Sequence, residues 1–314
     1  YTTLFRSSIN YGMYFHYCEG TSGNENLVSN NFISTQNSTS TTKGIFLGNN
    51  KYTNIYHNSV NITDGNTSSS AFYNETSSSI FLRNNIFANT KTSGGYAIYY
   101  YNTSSIHSDY NCLFTEGTNL GYLGGNRTTL AQWQSYSVDA NSVSVDPFFE
   151  SDTNLHANAV ACNNTATPIA GITTDIDGEA RDASTPDMGA DEYYITPLAG
   201  TYTIGGINPD YATIAAAVND LRITPIDGHV YFNIRTGNYN EQVSVERVWG
   251  ASEANTVTFQ PESGADVTIT YEPTSSANYV VQFDDADYLI FKNMTFTATG
   301  TYNGRVFDFL DGSH

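Results

Sequence analysis

Arg83 and Asp109 are the first pair in this chain whose types and spacing invite chemistry. Each lies two residues before a recurring Asn, so aligning the chain on that Asn puts Tyr56, Arg83 and Asp109 in one column and His57, Asn84 and Tyr110 in the next. If the repeat is one turn of a solenoid, Arg83 stands one rung, ~4.8 Å, from Asp109. A base and an acid so placed either exchange a proton or form a cross-rung ion pair on a wet surface, a contact of little net value. A second set is Asp175, Asp177 and Glu179, hard oxygen ligands at alternating positions around Gly178, with calcium as the candidate ion. The sequence lacks the full twelve-residue EF-hand loop, and a polar turn with a buried Asp–Arg pair through Arg181 explains the same residues. A third set, Asp284, Asp285 and Asp287, carries the paired carboxylates that acid–base work on sugars needs, or simply turns the chain between coils.

The elements that must hold these groups are announced by repetition. Asn31, Asn58, Asn85 and Asn111 recur at spacings of 27, 27 and 26, and Ile45, Phe72 and Ile98 keep the same register. Each period contains short apolar-alternating runs such as Gly44-Ile45-Phe46-Leu47, broken by Asn, Ser, Thr and Gly, which predicts strands and no helix. One such unit cannot bury its own apolar face, and stacking makes the core. With strands alone the solution is a parallel β-helix. At its bends an Asn amide can donate to one coil and accept from the next, so Asn31, Asn58, Asn85 and Asn111 are expected to form a structural ladder rather than a binding site.

The 314 residues include 39% hydrophobic and 14% aromatic side chains, ample for a packed core. Twelve Lys and Arg face 31 Asp and Glu, and a net charge of −19 repels phosphate backbones, so nucleic acid is excluded as a partner. Residues 1–150 hold 9 acids and 6 bases, whereas 151–314 hold 22 and 6. Cys18, Cys112 and Cys162 lack metal-ligand spacing and are expected to be buried thiols. The Asn-x-Ser/Thr triplets at Asn37, Asn61, Asn102 and Asn293 follow from an Asn- and Thr-rich composition. No apolar run is long enough to span a bilayer, and neither a signal peptide nor an initiator Met opens the chain. Strand pattern runs to both ends, so the chain reads as part of something longer.

Coils run to about Phe114; Leu130-Ala131-Gln132-Trp133 then suggests a short helical turn. A closing segment follows: Asp146-Pro147-Phe148-Phe149, Asn154-Leu155-His156, Asp175-Ile176-Asp177-Gly178-Glu179-Ala180-Arg181 and Pro186-Asp187-Met188-Gly189-Ala190-Asp191-Glu192-Tyr193. This segment resembles the end of right-handed parallel β-helix domains in large secreted bacterial proteins, especially of Bacteroidetes, within the broad pectate lyase-like superfamily. After Ile195–Gly200 the period changes. Tyr211, Ile214, Ala215, Val218 and Leu221 share one helical face, with Asn208 as expected N-cap and Pro209 at the first helical position. This opening, with Gly237-Asn238-Tyr239-Asn240-Glu241 as a "G-x-Y-x-E" turn, resembles the start of pectinesterase-like and pectate lyase-like β-helices. Val230, Val257, Val280 and Val306, spaced 27, 23 and 26 apart, mark resumed coils.

The expected fold is therefore all-β, a right-handed parallel β-helix solenoid in two tandem domains. Residues 1–194 form the first, with closing segment 145–194; 195–200 link it to 201–314, opened by a capping α-helix at about 209–222. The resemblance implies action on acidic polysaccharides, in which a lyase would use Arg83 as base beside Asp109 and carboxylates to hold calcium. No neighbouring carboxylate cluster supports that set. The leading expectation is a non-catalytic extracellular repeat region of a bacterial surface protein, an adhesin or stalk with polysaccharide or cell-surface glycan as partner. A polysaccharide lyase or glycoside hydrolase is the alternative.

Overall fold

The computed structural model describes residues 9–102, 106–300 and 304–310. The chain divides into two compact units between Tyr194 and Ile195.

In the first unit three parallel sheets wind about one core. The first sheet stacks Ile9–His16, Thr41–Gly48, Ser70–Asn74, Tyr96–Tyr100 and Gly121–Leu123, and Asn126–Arg127 folds back antiparallel at its end. The second stacks Asn26–Ser29, Lys51–Tyr56, Ser78–Arg83 and Ile106–Asp109; the third stacks Phe32–Thr35, Ser59–Ile62, Ile86–Asn89 and Cys112–Thr115. Their registers align inward columns: Ile45, Phe72 and Ile98; Val28, Ile55 and Leu82; Ile33, Val60, Phe87 and Leu113. Nearly all are fully buried, each contributing about 1.5–3 kcal/mol by leaving water. Gly44 is obligatory on this inward side, because a Cβ there would sit 2.4 Å from both Ala71 O and Val60 Cγ1.

Between the second and third sheets every coil turns through one left-handed residue and one Asn. Asn30, His57, Asn84 and Tyr110 take φ of 54°, 51°, 59° and 57°, which re-aims the strand within two residues. The helix Leu130–Gln134, capped by Thr129, places fully buried Trp133 over Gly121 and Tyr100 and covers the apolar end. Cys112 and Cys162 are buried free thiols in one apolar cluster with Met188, while Cys18 is half-buried.

The second unit repeats the plan. Its sheets stack Leu198–Ile204, Ile226–Ile234, Val257–Pro261 and Leu289–Phe291; Gly237–Asn240, Val267–Tyr271 and Thr295–Ala298; and Val243–Val245, Tyr279–Phe283 and Arg305–Phe309. Phe232, Phe259 and Phe291 stack in register at 4.7 Å per step.

The structure departs from the sequence expectations at four points. The strand Leu198–Ile204 begins inside the expected linker 195–200, with a bulge between Leu198 and Gly200. The capping helix spans Ile214–Ile223 with Thr213 as N-cap, rather than about 209–222. Asn208 sits at φ 46° and residues 208–212 are held out of the helix by Tyr211 N donating to Thr203 O and by Asp210 accepting from Thr203 N. Val257 pairs with Leu289, not Val280, because the coil between them is longer than the sequence spacing implied; Val280 lies in another sheet. Finally, Gly237–Asn240 is a strand, not a turn.

Candidate functional site

The Asn column is a continuous hydrogen-bonded ladder. Asn31 Nδ2 donates to Asn58 Oδ1 at 2.8 Å, Asn58 to Asn85 at 3.0 Å and Asn85 to Asn111 at 3.0 Å. Each amide also donates to the main-chain oxygen two residues before it, so the bend and the stack are tied together. The ladder ends on Asp139, whose Oδ1 accepts from Asn111 Nδ2 and from Ser108 and Ser142, and whose Oδ2 accepts from Trp133 Nε1 at 2.7 Å. Asp139 is fully enclosed, and burial pushes its carboxyl above the usual range against those four donors. Only its distance of 28 residues from Asn111 signalled this role in the sequence.

Arg83 and Asp109 are register partners on adjacent rungs. They line a hollow of about 210 Å³ with Phe81 and His107, whose rings stack at 4.5 Å. The expected cross-rung ion pair is absent among the described residues. Asp109 Oδ1 instead accepts from Asn141 N at 2.8 Å and Oδ2 from Asn141 Nδ2 at 2.9 Å, because the chain returning after Trp133 presents those donors. The Arg83 side chain points to solvent.

The acidic closing segment is organised differently from the expected calcium turn of Asp175, Asp177 and Glu179. Asp175 is buried, and its Oδ1 accepts from Asp177 N and Glu179 N while Oδ2 accepts from Glu192 N. Both oxygens thus hold the turn together. Arg181 pairs with Glu192 at 3.2 Å, not with an Asp, and donates to the main-chain oxygens of Gly189, Ala190 and Asp191 and to Asn30 Oδ1. The segment docks on the left-handed corner of the coils: His57 Nδ1 faces Gly189 O, Asn30 Nδ2 donates to Thr174 O and Asn84 Nδ2 to Thr167 O. Burial lowers the His57 pKa to about 3, with the Arg181 charge adding to it, so the ring is neutral and its Nε2 accepts from Asn84 Nδ2. Burial also raises Asp187 to about 7.

The metal-type grouping that the fold does make is His156, Asp177 and Asp191, whose ligand atoms lie within 4.8 Å of one another. His156 Nε2 is 2.8 Å from Asp177 Oδ2 and 4.0 Å from Asp191 Oδ1. Burial raises Asp191 to about 6. Burial alone would lower His156, but the Asp177 hydrogen bond and the surrounding carboxylates outweigh it and raise the ring's pKa. The sequence named Asp177 but not its partners, which arrive from 21 residues before and 14 after with no periodic signal.

On the outer face of the first sheet, Tyr14, Phe46, Tyr73, Tyr99 and Tyr122 stack at 5.0, 5.6, 4.9 and 4.4 Å. The inner rings share both faces with their neighbours, while Tyr14 at the end of the row is 51% exposed. Lys43 Nζ lies 4.1 Å from the Tyr73 centroid, and burial lowers it to about 7.

In the second unit Arg247, Trp249, Asp285, Asp287 and Tyr288 line a hollow of about 220 Å³. Arg247 pairs with Asp285 at 2.7 Å and lies 5.6 Å over Trp249. Of the expected Asp284, Asp285 and Asp287 set, this hollow gathers Asp285 and Asp287.

Among the described residues no helix is long and apolar enough to cross a membrane. No family model, curated protein or solved structure matches the chain.

Proposed function

We propose that this chain is a non-catalytic, extracellular repeat region of a larger bacterial surface protein, acting as adhesin or stalk with a glycan as its ligand. The observation that carries the reading is how the coils engage their own polar and aromatic groups. The Asn ladder, the ring stack and Asp109 with Asn141 tie one pass of the chain to the next, and Asp175 with three main-chain N–H groups ties the closing segment to itself. These are the contacts of a rigid spacer. The glycan contact in this reading is the Arg247–Trp249–Asp285–Tyr288 hollow, which combines ring surfaces for a sugar's C–H face with charged partners for its hydroxyls. The stacked rings of the first sheet are poorer candidates, since the faces of the inner rings, Phe46, Tyr73 and Tyr99, are already covered.

The lyase reading keeps one supporting feature, the shared hollow of Arg83 and Asp109. One panel of acidic and neutral polysaccharides separates the two. Binding lost in Trp249→Ala, with no ultraviolet absorbance from unsaturated uronate product, supports the adhesin. Product formation that disappears in Arg83→Ala overturns it.

A further inference from the structure

We propose that His156, Asp177 and Asp191 form a binding site for one divalent first-row transition-metal ion of the zinc class, which clamps three passes of the closing segment together. Asn154 sets which nitrogen of the His156 ring carries a proton. Its Nδ2 donates to Glu150 Oε2, so its Oδ1 is the atom that faces His156 Nδ1. Nδ1 must therefore carry a proton and donate. That leaves Nε2 facing two acceptors, Asp177 Oδ2 and Asp191 Oδ1. A nitrogen between two carboxylates needs positive charge there, either a second proton or a metal ion.

The two alternatives differ at Asp191. A proton on Nε2 has one direction and serves Asp177 at 2.8 Å. The Asp191 side chain, only 9% exposed, then accepts no hydrogen bond among the described residues; Arg181 reaches its main-chain oxygen instead. That leaves the Asp191 carboxylate to water in the adjoining hollow, which it lines, and to the His156 ring at 4.0 Å. A divalent ion serves all three groups at once. Ligands at about 2.0–2.1 Å from a tetrahedral centre lie about 3.3–3.4 Å apart, and the observed 2.8 and 4.0 Å bracket that edge. One imidazole with two carboxylates suits zinc better than calcium, which prefers six to eight oxygens.

The surroundings are those of a built site. Asn154 and Glu150 fix the ring's tautomer, and Phe32 packs edge-on to it at 4.9 Å. The adjoining hollow of about 420 Å³ leaves a fourth position to water.

The test is zinc binding by the whole chain in competition with a chromogenic chelator, followed by Co²⁺ substitution. Expected are one ion per chain, visible Co²⁺ absorbance of tetrahedral intensity, and a rise in melting temperature with Zn²⁺, since the ion binds only the folded state. Asn154→Ala should weaken binding about 10–100-fold. Asp191→Asn and His156→Gln should weaken it further, whereas Glu19→Gln, on the exposed Lys51 pair, leaves it unchanged. Zinc affinity equal in wild type and both ligand variants, or Ca²⁺ displacing Zn²⁺ at equal concentration, overturns the proposal. Should the variants fail to fold, the wild type decides: Co²⁺ that gives no tetrahedral absorbance and leaves every histidine resonance unbroadened also overturns it.

Discussion

Asp139 shows how much one side chain can carry at the end of a repeat. It stands where a fifth Asn would continue the ladder, yet both its oxygens accept, one of them from Trp133 Nε1. An amide there would turn its NH₂ toward the indole N–H. Asp139→Asn should therefore destabilise the first unit by about 1–3 kcal/mol despite near-identical shape, measured by chemical denaturation. His57 makes the complementary point through protons. Its folded pKa, lowered to about 3, lies below the unfolded value near 6.5, so the unfolded chain binds more protons between those limits. The stability that neutral His57 provides is present above pH 6.5 and is lost as pH falls toward 3. Asp187 and Asp191, raised to about 7 and 6, act in the opposite sense: their contribution is greatest at low pH and falls as pH rises through those values. The wild-type profile is a sum, and His57→Gln isolates one part of it. Relative to that variant, the wild type should lose about 1.4 kcal/mol per pH unit below pH 6, read from urea midpoints.

At the scale of elements, the opening of the second unit explains why the residues resembling a "G-x-Y-x-E" turn occur together. Tyr239 Oη donates its one proton to Arg235 O at 2.9 Å, with Ile204 O of the first coil at 3.3 Å as the second acceptor within reach, which holds the strand against that coil. Glu241 accepts from Ile214 N and Ala215 N, and Thr213 Oγ1 from Ala216 N, so a carboxylate from the next coil completes the helix N-terminus. Glu241→Ala should cost about 1–2 kcal/mol and loosen the helix first, seen as faster amide exchange across Ile214–Ile223. The helix and the Glu are legible in the sequence, but their contact is not. Helical periodicity reports which face is apolar; a cap supplied from 26 residues away leaves no trace in it.

At the scale of the whole molecule, charge looks different once the structural boundary replaces an arbitrary midpoint. Split at residue 150, the halves carry net −3 and −16; split at Tyr194, they carry 17 acids and 7 bases against 14 and 5, or −10 and −9. The excess belongs to the closing segment, whose residues 151–194 hold 8 acids and 1 base. Self-repulsion at net −19 is screened by salt, so both units should melt higher at about 150 mM than at about 10 mM ionic strength, where the Debye length falls from about 30 Å to about 8 Å. Equal melting in both would mean that local pairs such as Arg181–Glu192 already neutralise the repulsion.

The repeat was legible because a solenoid's contacts are periodic. Asn31, Asn58, Asn85 and Asn111 meet the same neighbours one coil away, and that regularity is written directly into the spacing. The parallel β-helix, its inward columns and its amide ladder all follow from that one-dimensional signal. The closing segment has no such period. That the Asp177 carboxylate meets His156 while its N–H serves Asp175, that Arg181 pairs with Glu192 rather than an Asp, and that Asn141 claims Asp109 are settled by chain passes that return from 11 to 32 residues away. Those choices depend on which polar groups burial leaves in need of a partner, and only the tertiary structure brings the competing donors and acceptors within reach of one another.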